Sequence, residues 1–257
     1  MSRKPVTLAR VRDGVLKRWF DRRNPINSFR GVYPSFAAAL DAAPPFKRVG
    51  YDVAGSVDWY SSKMSCAPLE DYPVMYWLRS AFADSSSIFE VGGHVGTAYY
   101  GFQGVLDYPD DLRWTIWDVP SIVAAGRDLA VRKGSSLEFT EDPLGEPEAN
   151  VLMAAGALQY IDQPRLEDFV ATRAGHLRHV LINLTPVHDG PEFVTLQNIG
   201  PVVCPYRIFN RRQLIGKLEE LGYCLVDSWE KPRPFRVEGR NDLAFDTYSG
   251  FYFRCEA

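Results

Sequence analysis

Short apolar runs alternate with amphipathic stretches from residue 87 to the end of the chain. The apolar runs have the length of strands, and they are "SIFEVGG", "RWTIWDV", "SLEFTED", "NVLMAAG" and "HVLINLTP", with two more near 223–230 and 247–254. Stretches with helical spacing lie at about 120–133, 163–175 and 210–221. Strands that alternate with helices are typical of βαβ units. The pattern therefore predicts an α/β fold with a mostly parallel sheet.

The first third of the chain has a different pattern. Helices are predicted at about 35–43 and 70–83, where apolar residues recur at helical spacing. Residues 46–68 are rich in Ser, Gly and Asp and predict irregular covering structure. We therefore expect an N-terminal helical extension and cap over residues 1–85 and a sheet domain over residues 86–257.

Residues 1–23 form a basic segment with an apolar stripe. Leu8, Val11, Val15 and Trp19 share one face of a predicted helix, and Lys and Arg residues occupy the others. Two interpretations are open. The stripe packs on its own domain or on a partner subunit, which is the commoner case, or it lies in the interface of an anionic membrane.

Composition and charge exclude several classes of protein. The chain has 257 residues, 46% hydrophobic and 24% charged, and a net charge of −3, as in ordinary globular proteins. Basic charge is concentrated in the leading segment, whereas a nucleic-acid-binding domain spreads it over a folded face. The four cysteines are scattered and include no Cys-x-x-Cys pair, so neither a zinc site nor a disulfide framework is indicated. No secretory signal is apparent. A cytoplasmic protein without a metal is expected, with peripheral contact to the inner face of the membrane if the basic helix binds lipid.

Candidate ligand-binding residues follow the predicted strands. In an open parallel sheet the ligand binds at the carboxyl ends of the strands. The first strand ends in Glu90 and the glycines Gly92, Gly93 and Gly96, and the second ends in Asp118. His94 stands where a dinucleotide-binding Gly-x-Gly-x-x-Gly motif needs its second glycine. A pyrophosphate-binding loop is therefore poorly supported.

These residues resemble the motifs of the class I S-adenosylmethionine-dependent methyltransferases. An acidic-hydrophobic-glycine start, Asp118, Asp142 and "ALQYIDQP" occur in the expected order over residues 87–230. The segments "FRGVYPSFAAAL", "VGYD" and "YRIFNRRQLIGKLEELGY" resemble a bacterial methyltransferase family whose genes accompany surface-polysaccharide genes. The resemblance implies a Rossmann-like sheet of about seven mostly parallel strands with helices on both faces.

The resemblance also implies a cofactor, S-adenosylmethionine, and the residues that bind it. These are Glu90, Gly92, Gly93, His94, Gly96, Asp118, Val119, Asp142, Ala157 and Leu158. In this assignment Glu90 holds the methionine ammonium, and Asp118 takes the ribose hydroxyls with Val119 against the adenine. His94 is a departure, because the broad class has glycine or another small residue there.

Plain structural explanations stand beside these assignments. Gly92 and Gly93 could form only a strand-to-helix turn. Asp118 could be the N-cap of the following helix, and Glu90 could be a structural carboxylate paired with an arginine.

Methyl transfer to a hydroxyl gains from a nearby proton acceptor. His188 follows the fifth predicted strand at its carboxyl end, with Asp189 beside it as a possible orienting carboxylate, and His94 lies in the glycine loop. These three are the catalytic candidates. Segment 185–209 is too long for a plain connection and predicts a lid or binding loop. Candidates for substrate contact are Tyr99, Tyr160, Gln197 and Tyr206.

The sequence therefore predicts an S-adenosylmethionine-dependent methyltransferase that methylates oxygen on a sugar, a glycan precursor or another small molecule. Two alternatives stay open: a nicotinamide-dependent enzyme on the same sheet, and a non-catalytic domain that docks to a membrane or a partner. The sequence does not decide the oligomeric state.

Overall fold

A computed structural model describes residues 27–50, 64–146, 148–200 and 202–255 of the chain. The predicted basic helix of residues 1–23 lies outside the described residues. Nothing in the structure therefore bears on its two interpretations.

Six α-helices are present among the described residues. They are α1 (Phe36–Asp41), α2 (Tyr72–Ala81), α3 (Thr97–Phe102), α4 (Pro120–Lys133), α5 (Leu166–Thr172) and α6 (Arg211–Glu220). Short 3₁₀ turns occur at Leu69–Asp71 and Leu158–Tyr160. Five of the helices confirm predicted ones, and α3 was not predicted because its six residues are too few to show a helical period.

Twelve strands are present in the same residues. They are β1 (Ser28–Tyr33), β2 (Arg48–Val49), β3 (Ser87–Val91), β4 (Arg113–Trp117), β5 (Glu138–Thr140), β6 (Val151–Ala155), β7 (His179–Thr185), β8 (Val187–His188), β9 (Phe193–Asn198), β10 (Val202–Asn210), β11 (Tyr223–Val237) and β12 (Arg240–Cys255).

The predicted α/β fold is confirmed in the main part of the sheet. Strands β5, β4, β3, β6 and β7 are neighbours in that order and run parallel. Strand β12 continues the sheet antiparallel to β7, and β11 pairs with β12. Every residue of β3 is buried, as expected for a central strand covered on both faces.

Helices cover both faces of this sheet. Alternate residues of β3 enter two different clusters of buried side chains, Ile88 on one face and Phe89 on the other. Leu78 of α2 packs in the first cluster, and Phe169 of α5 and Leu214 of α6 pack in the second. The side-chain alternation of a strand produces this division.

The strand count exceeds the predicted seven because the sheet has an added part. Strands β1, β9, β10 and β2 extend it beyond β11 in that order, and β1 pairs with the far end of β11 at Phe29 and Val237. Phe29, Tyr206, Phe235 and Tyr248 fill one face of the added part. The other face packs against helix α1.

The expectation of a lid or binding loop over residues 185–209 is wrong. Most of this segment forms β9 and β10, an antiparallel pair whose residues are almost all buried. The intervening Gly200 has a φ of 81°, which suits a tight hairpin turn. The length of the segment favours a loop, but the residues pair as strands, and Pro205 lies within β10 opposite Leu196.

The N-terminal region contributes strands as well as helices to the fold. Strand β1 pairs with β9 and β11, and β2, within the stretch predicted to be irregular, pairs with β10. The prediction of helices and irregular cover for this region did not include these two strands. The division into two domains at residue 85 stays a prediction. None of the described helices has both the length and the apolar character required to cross a membrane.

Gly250 of β12 provides a test of this packing. It lies opposite Trp229 of β11, and a Cβ added there would overlap the Trp229 indole. We expect Gly250→Ala to lower the free energy of unfolding by about 1–3 kcal/mol, the usual range for overpacking. Gly216→Ala in helix α6 is the control, because a Cβ there meets open space and alanine favours helix by up to about 1 kcal/mol. Denaturant unfolding of both variants measures the difference, and equal stabilities would contradict the packing described here.

Candidate functional site

A cavity of about 370 Å³ opens at the carboxyl ends of the central strands. Strands β3, β4, β6 and β7 supply it with residues at or just beyond their last positions. It is lined by Asp71, Glu90, Gly92, Gly93, His94, Thr97, Ala98, Trp117, Asp118, Val119, Ala155, Gly156, Ala157, Gln159, Tyr160, Ile161, Leu184 and Arg233. This is the edge of a parallel sheet at which a ligand is expected.

The loop after β3 forms one wall of the cavity. Gly92 has a φ of 68°, and its N–H donates to the carbonyl of Trp117 at 2.8 Å. A Cβ added to Gly92 would overlap the side chain of Ala157. Glycine is therefore required both by the left-handed backbone and by the close approach of the loops that follow β3 and β6.

A carboxyl group lies beneath this loop. Glu90 is only 2% exposed, and the Trp114 indole donates to its Oε2 at 2.8 Å. A Cβ on Gly93 would overlap the Glu90 carboxyl, so glycine makes room for it. Burial, with further contributions from the charges of Asp118 and Asp71, raises the pKa of Glu90 to about 8. Its hydrogen-bond donor is an indole, not the arginine that the structural explanation supposed.

Asp118 joins the loop after β3 to the end of β4. Its Oδ2 accepts a hydrogen bond from the His94 N–H at 2.9 Å, and its Oδ1 accepts one from the Val119 N–H at 2.8 Å. The N-cap of α4 is Val119, so the interpretation of Asp118 as the N-cap is wrong by one position. Both carboxylate oxygens are thereby fixed in orientation at the edge of the cavity, which Asp118 lines.

Two residues of the cavity lining hold a left-handed backbone without being glycine. His94 has a φ of 56° and Leu184 a φ of 52°. This conformation costs roughly 1–2 kcal/mol for a residue with a Cβ, and such strain is concentrated at functional sites. Glycine adopts the left-handed conformation most easily. His94 therefore occupies a position whose backbone favours glycine.

A third carboxylate reaches the cavity from the N-terminal region. Asp71 ends the 3₁₀ turn before α2, and its Oδ1 accepts from Asn183 Nδ2 at 2.9 Å. The Trp229 indole donates to Asn183 Oδ1 at 2.9 Å, which ties this turn to β7 and β11. Sequence reasoning missed Asp71 because no local motif marks a residue that only tertiary packing brings to the site.

Gln159 presents a buried polar atom to the cavity. The residue is 2% exposed, and its Nε2 donates to the carbonyl of Gly156 at 2.7 Å. Its Oε1 is buried and has no hydrogen-bond partner among the residues that the structure describes. A buried acceptor without a hydrogen bond costs free energy. A donor group on a bound ligand would supply the missing hydrogen bond to Gln159 Oε1. Gln159 lies within "ALQYIDQP". The resemblance implies only Ala157 and Leu158 of that segment as cofactor-binding residues.

The structure brings together seven of the ten predicted cofactor residues. Those in the lining are Glu90, Gly92, Gly93, His94, Asp118, Val119 and Ala157. Gly96 lies behind the loop as the N-cap of α3, and Leu158 packs in the core. Asp142 lies in the turn after β5, where its Oδ1 accepts from the Leu144 N–H at 3.0 Å. The roles of all ten in binding stay predictions.

The structure does not bring His188 and Asp189 to this cavity. His188 Nε2 lies 2.9 Å from the carbonyl oxygen of Pro191, and its ring packs against Phe193 and Phe245. The Asp189 side chain is 95% exposed, with Oδ1 4.0 Å from Arg211 Nε. Of the three catalytic candidates, only His94 lines the cavity.

Among the candidates for substrate contact, only Tyr160 lines the cavity. Its hydroxyl donates to Oε1 of the buried Gln197 at 2.8 Å, so Gln197 reaches the cavity only through Tyr160. Tyr206 is fully buried, and its hydroxyl donates to that of Tyr248 at 3.0 Å. Tyr99 packs edge-on against Trp114 in the core.

Solved structures of known proteins resemble this one. A Burkholderia thailandensis 1,6-didemethyltoxoflavin-N1-methyltransferase, solved with 1,6-didemethyltoxoflavin and S-adenosylhomocysteine, is 17% identical with a TM-score of 0.51, and the match covers 100% of this chain and 94% of that chain. A Clostridium acetobutylicum S-adenosylmethionine-dependent methyltransferase is 10% identical with a TM-score of 0.52, and the match covers 80% of this chain and 94% of that chain. The glycopeptide N-methyltransferase MtfA, solved with S-adenosylmethionine, is 12% identical with a TM-score of 0.51, and the match covers 73% of this chain and 94% of that chain.

The chain has the fold of the S-adenosylmethionine-dependent methyltransferases. No protein-family model matches the sequence, and no curated protein matches it. At these identities the likeness establishes the fold and not the reaction.

Replacing Glu90 with Gln should change how stability depends on pH. The carboxyl has a pKa of about 8 in the folded protein against an ordinary 4.5, so between these values the folded state binds more protons than the unfolded chain. Its contribution to stability is therefore complete below pH 4.5 and is lost as pH rises through 8, by up to about 1.4 kcal/mol per pH unit. Glu90→Gln should gain stability relative to the wild type across that window.

Denaturant unfolding at several pH values across this window measures the effect. Glu219→Gln is the control, since Glu219 is an exposed residue near the end of α6. If the curves of the wild type and Glu90→Gln run parallel, the carboxyl is not protonated in the folded protein.

Proposed function

We propose that this protein is an S-adenosylmethionine-dependent methyltransferase. The observation that carries the proposal is the set of carboxyl groups around the glycine loop. Glu90, Asp118 and Asp71 all face a cavity at the carboxyl ends of the strands, in a fold shared with methyltransferases. S-adenosylmethionine carries positive charge at its ammonium and sulfonium groups, and the carboxylates of Asp118 and Asp71 attract such groups.

The residues present fit this cofactor. Gly92 and Gly93 leave space that a Cβ would fill, and Gln159 Oε1 offers an unsatisfied acceptor. Glu90, held protonated by burial in the structure, becomes an anion when an ammonium group lies beside it, because an opposite charge favours the ionised form. Asp118 is positioned by two backbone N–H groups at the edge of the cavity, where a carboxylate can accept hydrogen bonds from the ribose hydroxyls.

The bound cofactor would supply an activated methyl group on sulfur. The protein's own contribution is then orientation and the exclusion of water. Trp117, Ile161 and Leu184 provide apolar surface around the carboxylates. His94 is the histidine placed to take a proton from a hydroxyl acceptor, since it lines the cavity and His188 does not.

The acceptor we propose is a small molecule methylated on oxygen, such as a sugar or a glycan precursor. Support comes from the resemblance to a family whose genes accompany surface-polysaccharide genes. One similar structure contains a small-molecule acceptor, 1,6-didemethyltoxoflavin. A cytoplasmic location and membrane contact through residues 1–23 stay predictions from the sequence.

Asp118→Ala tests cofactor binding. The substitution removes an acceptor for the ribose hydroxyls, and hydrogen bonds to a charged group contribute roughly 1.5–3 kcal/mol. We therefore expect the Kd for S-adenosylhomocysteine to rise by about tenfold or more. Calorimetric titration measures it, with Asp128→Ala as the control because Asp128 is an exposed residue of α4.

Parallel titrations with NAD separate the alternatives. Binding of NAD without S-adenosylhomocysteine would favour a nicotinamide-dependent enzyme, and binding of neither would favour a non-catalytic domain. An unchanged Kd in a folded Asp118→Ala protein would contradict the proposed site.

His94→Gly tests the proton acceptor. Glycine suits the left-handed backbone of residue 94, so this variant removes the imidazole while keeping the loop. We expect it to lose most of its turnover with the best acceptor from a panel of sugars and phenols, yet to bind S-adenosylhomocysteine as the wild type does. His188→Ala should keep its turnover, and the reverse result would return the catalytic role to His188.

A further inference from the structure

Among the described residues that line the cavity, one is an arginine and none is a lysine, and the arginine comes from a strand outside the parallel part of the sheet. Arg233 belongs to β11, whereas the carboxylates Glu90 and Asp118 follow β3 and β4. In the strand order β11 and β4 are the outermost strands that contribute to the lining. Arg233 and Asp118 therefore approach the cavity from opposite sides.

Arg233 differs from its neighbours on the same face of β11. Trp229 donates to Asn183 of β7, and the Lys231 ammonium lies 2.8 Å from Glu70 Oε2 in the 3₁₀ turn before α2. Arg233, the next residue on that face, forms no ion pair with any described residue. It faces the cavity, is half-buried, and has no counter-ion within the described part of the chain.

An aromatic wall supports the guanidinium. Arg233 Cζ lies 4.8 Å from the centre of the Tyr248 ring, and Tyr248 is fixed by the hydroxyl of Tyr206 at 3.0 Å. Tyr160 packs edge-on against Tyr206 and itself lines the cavity. A stacked arginine keeps its donors in one plane, which suits recognition of a carboxylate or phosphate.

We infer that Arg233 binds an anionic group of the methyl acceptor, a carboxylate or a phosphate. Glu90 and Asp118, on the side of the cavity opposite Arg233, suit a cationic cofactor. They would repel an anionic group of the acceptor, and Arg233 would attract it. Tyr160 would lie beside the bound acceptor. This inference rests on the proposed function and names the substrate class that it would use.

Matched pairs of probes test the charge preference. The full-length protein, saturated with S-adenosylhomocysteine, is titrated with para-hydroxybenzoate against para-hydroxybenzamide, and with glucose-6-phosphate against glucose. We expect the anion of one pair to bind about tenfold or more tightly than its neutral partner. The pair that shows the preference distinguishes a carboxylate from a phosphate.

Variants of Arg233 assign the preference to this residue. Arg233→Gln should abolish it without changing the Kd for S-adenosylhomocysteine, and Arg233→Lys should retain part of it. Arg236→Gln is the matched control, because Arg236 lies on the exposed face of the same strand and pairs with Asp246. It should leave the preference intact.

The outcomes separate this inference from the proposed function. If S-adenosylhomocysteine does not bind, the proposed function fails and the inference fails with it. If it binds but neither anion is preferred, or if Arg233→Gln keeps the preference, only the assignment of Arg233 is overturned.

Discussion

The burial of the Glu90 carboxyl beneath the glycine loop is the constraint on which the rest of the site depends. Gly93 must lack a side chain to admit it, and the Trp114 indole must lie where it can donate to it. The loop that covers Glu90 then presents the His94 N–H to Asp118, which couples the ends of β3 and β4. A buried acid with a raised pKa is unfavourable for folding at neutral pH. A ligand cation that restores its charge would offset that cost.

The added part of the sheet determines the other side of the cavity. The long β11–β12 hairpin runs past the main sheet and is held there by β1 and by the cluster around Phe235 and Tyr248. Because of this extension, Arg233 lines the same cavity as the glycine loop and as Tyr160 of the turn after β6. The cavity thus combines residues at the ends of the parallel strands with one residue of the extended hairpin.

The main sheet and the residues at its strand ends could be predicted because both depend on local pattern. Apolar runs such as that around Phe89 are strands in nearly any context, and Glu90, Gly92 and Asp118 follow directly from where those runs end. The added strands could not be predicted in the same way. β9 and β10 are bounded by Gly and Pro, which also occur in loops, and their burial on both faces depends on partners far away in sequence.

The sequence by itself determined the fold class, the glycine loop and the acidic residues that follow β3 and β4, since each depends on residues close together in the chain. Only the tertiary structure decided which side chains share the cavity. It placed His188 against Pro191 and outside the lining, and it brought Asp71 and Arg233 into the lining from segments more than 150 residues apart. The relative positions of residues so far apart in sequence depend on how strands pair and twist over the whole sheet. No local spacing in the sequence encodes that geometry.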